Sequence, residues 1–208
     1  MKNKRVHQKP RDIETRKRKK TVIISAEGKN KTETCYFRNF NRHSKSFIIR
    51  FAKGNDTDPV KIAKAANKSI KAESINFNEG DRVFCLLDTD INQDKQQSIN
   101  EAVQFAKAKH IEVILSNPCF EVWFLLHFSA STKAFSSNDQ LLKALKKYIP
   151  EYKKSSDVYS LLAAKTGNAI SNAKKLEKYH IKANHKLNTM ECNPSTAVYK
   201  VVSLLSNE

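Results

Sequence analysis

An apolar run, Val83-Phe84-Cys85-Leu86-Leu87, stops abruptly at Asp88-Thr89-Asp90, and few folds accommodate that junction. Five apolar residues in succession are too few for an ordinary helix and read as a strand buried on both faces. Strands of that kind belong to parallel sheets, whose ligand crevices lie beyond the carboxyl ends of the strands. Two acids there would present hard oxygen donors to a shared space, which suits Mg²⁺. The same Asp-x-Asp can equally cap the following turn. The motif alone leaves both readings open, and the rest of the chain has to decide.

The flanking segments extend the pattern. β-Branched or apolar runs predict further strands over 21–26, 46–51 and 111–115, and helical spacing predicts helices over 32–40, 59–70, 99–106 and 118–128. The resulting βαβαβαβα order calls for an open, mostly parallel four-stranded sheet with helices on both faces, an α/β fold. Glu27-Gly28 follows the first strand, Asp88 and Asp90 the third, and Asn117 the fourth, so all are expected on one edge. From Ser129 the strand signal fades and apolar positions recur at helical spacing. We therefore divide the chain into a basic arm over 1–20, an α/β domain over 21–128 and a helical extension over 129–208 packed on it.

Charge distribution points to the partner. The net charge is +17, which suggests a polyanion such as nucleic acid, DNA or RNA. Residues 1–20 carry ten Lys/Arg against two acids, 21–128 fifteen against thirteen, and 129–208 thirteen against six. Acids able to hold a cation thus sit between basic flanks able to hold phosphates, and Arg16, Lys17, Arg18, Lys19 and Lys20 are the densest candidates for backbone contacts. A basic surface that serves solubility is the competing explanation. Four widely spaced cysteines without a Cys-x-x-Cys pair imply reduced thiols and a cytoplasmic setting. No apolar stretch is long enough to span a membrane.

Glu121 is the one carboxylate in the apolar segment Pro118–Phe128. A buried acid needs a partner or a purpose, and its place beside Asn117 puts it toward the same edge as Asp88 and Asp90. Other constellations fail. Gly28-Lys29-Asn30-Lys31-Thr32 lacks the first glycine of a phosphate loop. Asp88-Thr-Asp-Ile-Asn92 departs from a calcium loop at Gln93 and Ile99. His180, His185 and Cys192 match no standard zinc spacing. Asn117-Pro118 and Asn193-Pro194 are explained by helix capping.

Together, Glu27-Gly28, Thr32-Glu33, Tyr36-Phe37 and Asp88-Thr-Asp90 resemble the signatures of a Toprim domain. The segment Ser116-Asn-Pro-Cys-Phe-Glu-Val-Trp-Phe-Leu-Leu-His-Phe128, with Asn193-Pro-Ser-Thr196, resembles the RloB-like family over about residues 20–205. That resemblance implies Mg²⁺ (or Mn²⁺) on Asp88 and Asp90, Glu27 as metal ligand or general base, and Glu121, Asn117 and Glu33 completing the site. It also implies phosphodiester hydrolysis in bacterial anti-phage or abortive-infection defence, beside an ABC-type ATPase. The alternative expectation is a non-catalytic module that binds nucleic acid or that ATPase.

Overall fold

The computed structural model describes residues 18–28, 31–42 and 44–206. Arg16 and Lys17 lie outside them. The four expected strands are present as β1 (Lys20–Ser25), β2 (Phe47–Phe51), β3 (Arg82–Asp88) and β4 (Glu112–Asn117). They pair in parallel. A fifth, two-residue strand, β5 (Ser195–Thr196), adds antiparallel to β4 and completes a sheet of order β2-β1-β3-β4-β5. Sequence periodicity does not reveal β5, because two residues carry no alternation.

The strand order explains where a site can form. The chain leaves β1 toward β2 on one side and returns to β3 on the other, so the crossovers diverge between β1 and β3. Such a switch point opens a crevice at the carboxyl edge of the sheet.

Side chains alternate across each strand and separate into two cores. Ile23, Val83, Cys85 and Leu87 face α2 (Pro59–Ala72) and α3 (Lys95–Lys107), where Ile62, Ala66, Ile99 and Ala102 meet them. Small alanines let these two helices lie close to the sheet. Asp58 opens α2 as expected: its carboxylate accepts from the Lys61 amide at 2.9 Å, and Pro59 takes the first turn.

Val22, Ile24, Phe84 and Leu86 face the opposite way, into a larger core. Here α1 (Lys31–Arg38) contributes Tyr36 and Phe37, and α4 (Glu121–Leu126) contributes Trp123 and Phe124. All six residues of α4 are buried, which accounts for its lack of a polar face. The segment after 129 supplies α5 (Asn138–Lys146), a short α6 (Tyr159–Leu162), α7 (Thr166–Lys182) and α8 (Val198–Ser206). Leu141, Leu145, Ala173, Leu176, Val198 and Val201 bury their stripes in this same core. Each fully buried aliphatic side chain there contributes about 2 kcal/mol.

Two sequence expectations change. Neither Asn–Pro pair opens a helix, since α4 begins at Glu121 and α8 at Val198. Nor do Arg18, Lys19 and Lys20 belong to a free arm. Arg18 pairs with Glu79 at 2.9 Å and with Asp81 at 3.0 Å, the Lys19 ammonium donates to the Ser44 carbonyl at 2.7 Å, and Lys20 is the first residue of β1. A basic run read without its tertiary partners cannot distinguish these tethers from a solvated tail.

Candidate functional site

The alternation of β3 decides the environment of Asp88. Phe84, Leu86 and Asp88 share one face, so Asp88 points into the side covered by α1 and α4. Those helices bring the acids Glu33 and Glu121. Asp88, Glu33 and Glu121 are all buried, at 6%, 3% and 2% exposure. Among the described residues, no hydrogen bond reaches the Asp88 carboxylate, and Glu33 Oε2 is buried without a partner. Burial, reinforced by Glu33, Glu121, Glu27 and Asp90, pushes the Asp88 pKa well above its ordinary value. Burial likewise drives Glu33 up to about 8, with Glu121 and Glu27 adding to the effect against its own backbone amide.

The backbone beyond Asp88 is clamped to β4. The Thr89 amide donates to the Ser116 carbonyl at 3.0 Å and the Asp90 amide to that of Pro118 at 2.9 Å. Thr89 Oγ1 donates to Asn117 Oδ1 at 2.9 Å, while Asn117 Nδ2 donates to the Met190 carbonyl at 3.0 Å. Asn117 is therefore a positioning residue, holding Thr89 between the two acids. The turn that follows is left-handed at Asp90 (φ 52°) and Ile91 (φ 54°). A β-branched residue in that region is rare and costs about 1–2 kcal/mol, a strain that concentrates at functional sites.

Glu27 leaves β1 on the other side of the switch point. The next residue has to be glycine: a Cβ on Gly28 would lie 1.9 Å from Asn55 Cα, and its amide donates to the Asp56 carbonyl at 3.0 Å. Lys95 bridges the gap between the two loops. Its Nζ lies 2.5 Å from Glu27 Oε1 and 2.7 Å from Asp90 Oδ2, and its side chain is 12% exposed. Burial works against the ammonium, but the bonds to Asp90 and Glu27 hold its pKa above the ordinary lysine value.

The segment after 129 completes the surroundings. Asn138, at the start of α5, donates to Asp90 Oδ1 at 2.8 Å, and the Tyr152 hydroxyl donates to Glu121 Oε1 at 2.9 Å. Lys154 is exposed along its chain, yet its ammonium feels the cluster. Partial burial lowers its pKa, while Glu121, Asp88 and Asp90 overcompensate and raise it.

The structure thus brings Glu27, Glu33, Asp88, Asp90, Glu121 and Asn117 to one edge. Sequence reasoning missed Lys95, Asn138, Tyr152 and Lys154. Lys95 had a detectable signal: it opens α3, where the helix dipole disfavours a cation unless acids offset it. The other three lie in polar stretches that carry none. His180 and His185 share an Nδ1···Nδ1 contact of 3.0 Å, His180 Nε2 meets the Pro194 carbonyl at 3.0 Å, and the Cys192 thiol donates to the Lys186 carbonyl at 3.3 Å, so these side chains are engaged with each other and with backbone carbonyls.

The acids offer the hard oxygen donors a divalent ion requires. Among the described residues, however, no three His, Cys, Asp or Glu side chains stand close enough to hold an ion as they are placed. Lys95 takes the position between Glu27 and Asp90. Donor type and unsatisfied charge fit an ion, and the lysine would have to yield to it.

An α/β protein with a carboxylate cluster at its sheet switch point is the class these features define. A family model for RloB-like proteins matches residues 22–205, and the chain belongs to that family. No curated protein and no solved structure matches it. No helix among the described residues is long and apolar enough to cross a membrane.

Proposed function

We propose that this protein is a Mg²⁺- or Mn²⁺-dependent nuclease of the Toprim type, acting in phage defence with an ABC-type ATPase. The observation that carries this reading is the buried Asp88 carboxylate, left without a donor among Glu27, Glu33, Asp90 and Glu121. A buried acid held without a donor costs stability whether it is ionised or forced to take a proton, and such groups cluster where function needs a cation. Glu27, Asp88 and Asp90 would hold the ion, which supplies charge stabilisation for the phosphorane oxygens and an activated water.

The chain's own residues then have distinct tasks. Asn117 and Thr89 fix the separation of Asp88 and Asp90. Tyr152 orients Glu121 through its hydroxyl, and Asn138 does the same for Asp90. Lys95 and Lys154 place two ammonium groups beside the acids, suited to phosphate oxygens once released from carboxylates. Glu33, its pKa about 8 before any cation enters, can carry a proton at neutral pH and is placed to give or take one. Purified protein is expected to cut labelled DNA or RNA with Mg²⁺ or Mn²⁺, and Asp88→Ala to stop cutting while its melting curve stays cooperative. Undiminished cleavage by that variant rules out the site.

One observation favours a second reading, a non-catalytic module that binds nucleic acid or the ATPase: Lys95 already neutralises Glu27 and Asp90. Calorimetric titration with Mn²⁺ separates the two. Nucleic-acid affinity without any ion binding at the acidic edge would establish the binder.

A further inference from the structure

Away from the acids, α5 borders an open groove of about 380 Å³ whose lining includes Lys133, Phe135, Gln140, Lys143, Lys147 and Tyr148. Gln140, Lys143, Ala144 and Lys147 follow i, i+3, i+4, i+7 spacing and so occupy one helix face. No acidic residue among the described ones lines the groove. Among the described residues, none of its three lysines is ion-paired.

Tyr148, at the end of this face, is 47% exposed. One face of its ring is stacked on Phe128 at a centroid distance of 4.9 Å and 9° between planes. Phe128 is braced in turn by the Lys165 ammonium, 4.4 Å from its ring centroid. The arrangement holds Tyr148 against Phe128 and leaves about half of it exposed, in a groove that three lysines also line. Exposed aromatic plates combined with a basic groove are how proteins bind single-stranded nucleic acid, because every base has a π-face and every nucleotide a phosphate. A protein surface would gain little from an acid-free lysine groove unless it were itself strongly acidic.

The position relative to the acids gives the groove its meaning. Asn138 at one end of α5 holds Asp90, and Lys147 lies nine residues further on, about 14 Å along a helix axis. At about 3.4 Å per nucleotide in a stacked strand, that is about four nucleotides.

We propose that the α5 groove is a single-strand subsite, in which a base stacks on Tyr148 and the neighbouring phosphates lie on Lys133, Lys143 and Lys147, leading the strand toward Asp88 and Asp90. The assignment rests on the nuclease reading for its direction, and its binding test does not depend on cleavage. Fluorescence anisotropy of an end-labelled ten-nucleotide single strand, and of the same sequence as duplex, is measured with the full chain in EDTA. The single strand should bind more tightly than the duplex. Tyr148→Ala should weaken it about tenfold or more, and Tyr148→Phe should restore most of the affinity. A 2-aminopurine base in the strand should be quenched by the parent protein and not by Tyr148→Ala. Combining Lys143→Ala with Lys147→Ala should reduce the salt slope by about 1.4.

Parent-like affinity and quenching in Tyr148→Ala overturn the subsite, as does a preference for duplex. So does capture of an acidic protein partner through these lysines with no oligonucleotide bound. Failure of the parent protein to cleave with Mg²⁺, with these binding effects intact, counts against the nuclease reading alone.

Discussion

Two buried aspartates mark the ends of β3, and they are built in opposite ways. Asp81, just before the strand, is fully buried. It accepts from the Thr21 amide at 2.7 Å, from the Asn76 amide at 2.8 Å and from the Arg18 guanidinium at 3.0 Å. Burial alone would raise its pKa, but the Asn76 and Thr21 amides and Arg18 bring it below the ordinary value. Asp88, at the carboxyl end, has no donor among the described residues, and burial, reinforced by Glu33, Glu121, Glu27 and Asp90, raises its pKa instead. Burial is common to both, so burial does not identify a functional acid. Satisfaction separates them: Asp81 ties the first strand to the third through its donors, whereas Asp88 is the acid that the proposed ion would complete.

The comparison breaks most visibly in activity. Asp88→Asn is expected to lower Mg²⁺-dependent cleavage by at least about a hundredfold, while Asp81→Asn cleaves at the parent rate per folded molecule. Single-turnover assays on both variants, corrected for folded fraction, check this. Equal losses would show that the two carboxylates differ only in place. Stability should reverse the order. In urea denaturation with EDTA, Asp81→Asn should cost about 3 kcal/mol, because a backbone amide loses its acceptor and Arg18 its counter-charge. At neutral pH Asp88→Asn should unfold at higher urea than the parent, since a buried acid whose folded pKa is raised costs stability above its unfolded pKa and an amide does not. Adding Mg²⁺ should then stabilise the parent and Asp81→Asn, and leave Asp88→Asn unmoved.

The contrast also marks what can be read from sequence. The strands are legible because β-branched and apolar runs have few alternatives, and the crossover rule then gathers Glu27, Asp88, Asp90 and Asn117 on one edge. Glu121 is legible because it interrupts an otherwise apolar segment. Glu33 needs the tertiary fold to be seen as buried, although Thr32-Glu33 carries family resemblance. Asn138, Tyr152 and Lys154 are not legible at all: their segments are polar, and only the fold brings them to Asp90 beyond β3 and to Glu121 of α4. Arg18 shows the reverse error. Ten Lys/Arg over the first twenty residues suggest a uniform tail, yet one of them is committed to Asp81 and Glu79 through contacts more than sixty residues away in the chain.

Acid titration sharpens the Asp81 half of the comparison further. A carboxylate whose folded pKa is depressed contributes stability that is complete above its unfolded pKa, about 3.9, and lost as pH falls through the folded value. The parent should therefore lose urea resistance steeply below about pH 4, and Asp81→Asn should lose less over the same interval, its carboxylate contribution already gone. Parallel curves for the two proteins between about pH 2 and 5 would mean that Asp81 is not the acid that titrates.

The smallest effect tests whether Arg18 acts through Asp81 or through solvent. Its guanidinium is half exposed, at 47% of the side chain, so water and salt screen the pair. Arg18→Ala should lower the urea midpoint less than Asp81→Asn does, because the Thr21 and Asn76 amides still satisfy the carboxylate. In an Asp81→Asn background, Arg18→Ala should cost less again, which a double-mutant cycle in urea measures. If the two effects simply add, Arg18 owes its place to Glu79 rather than to Asp81. It would then be available to phosphates after all, and nucleic-acid affinity in low salt would fall with Arg18→Ala in proportion to one lost contact.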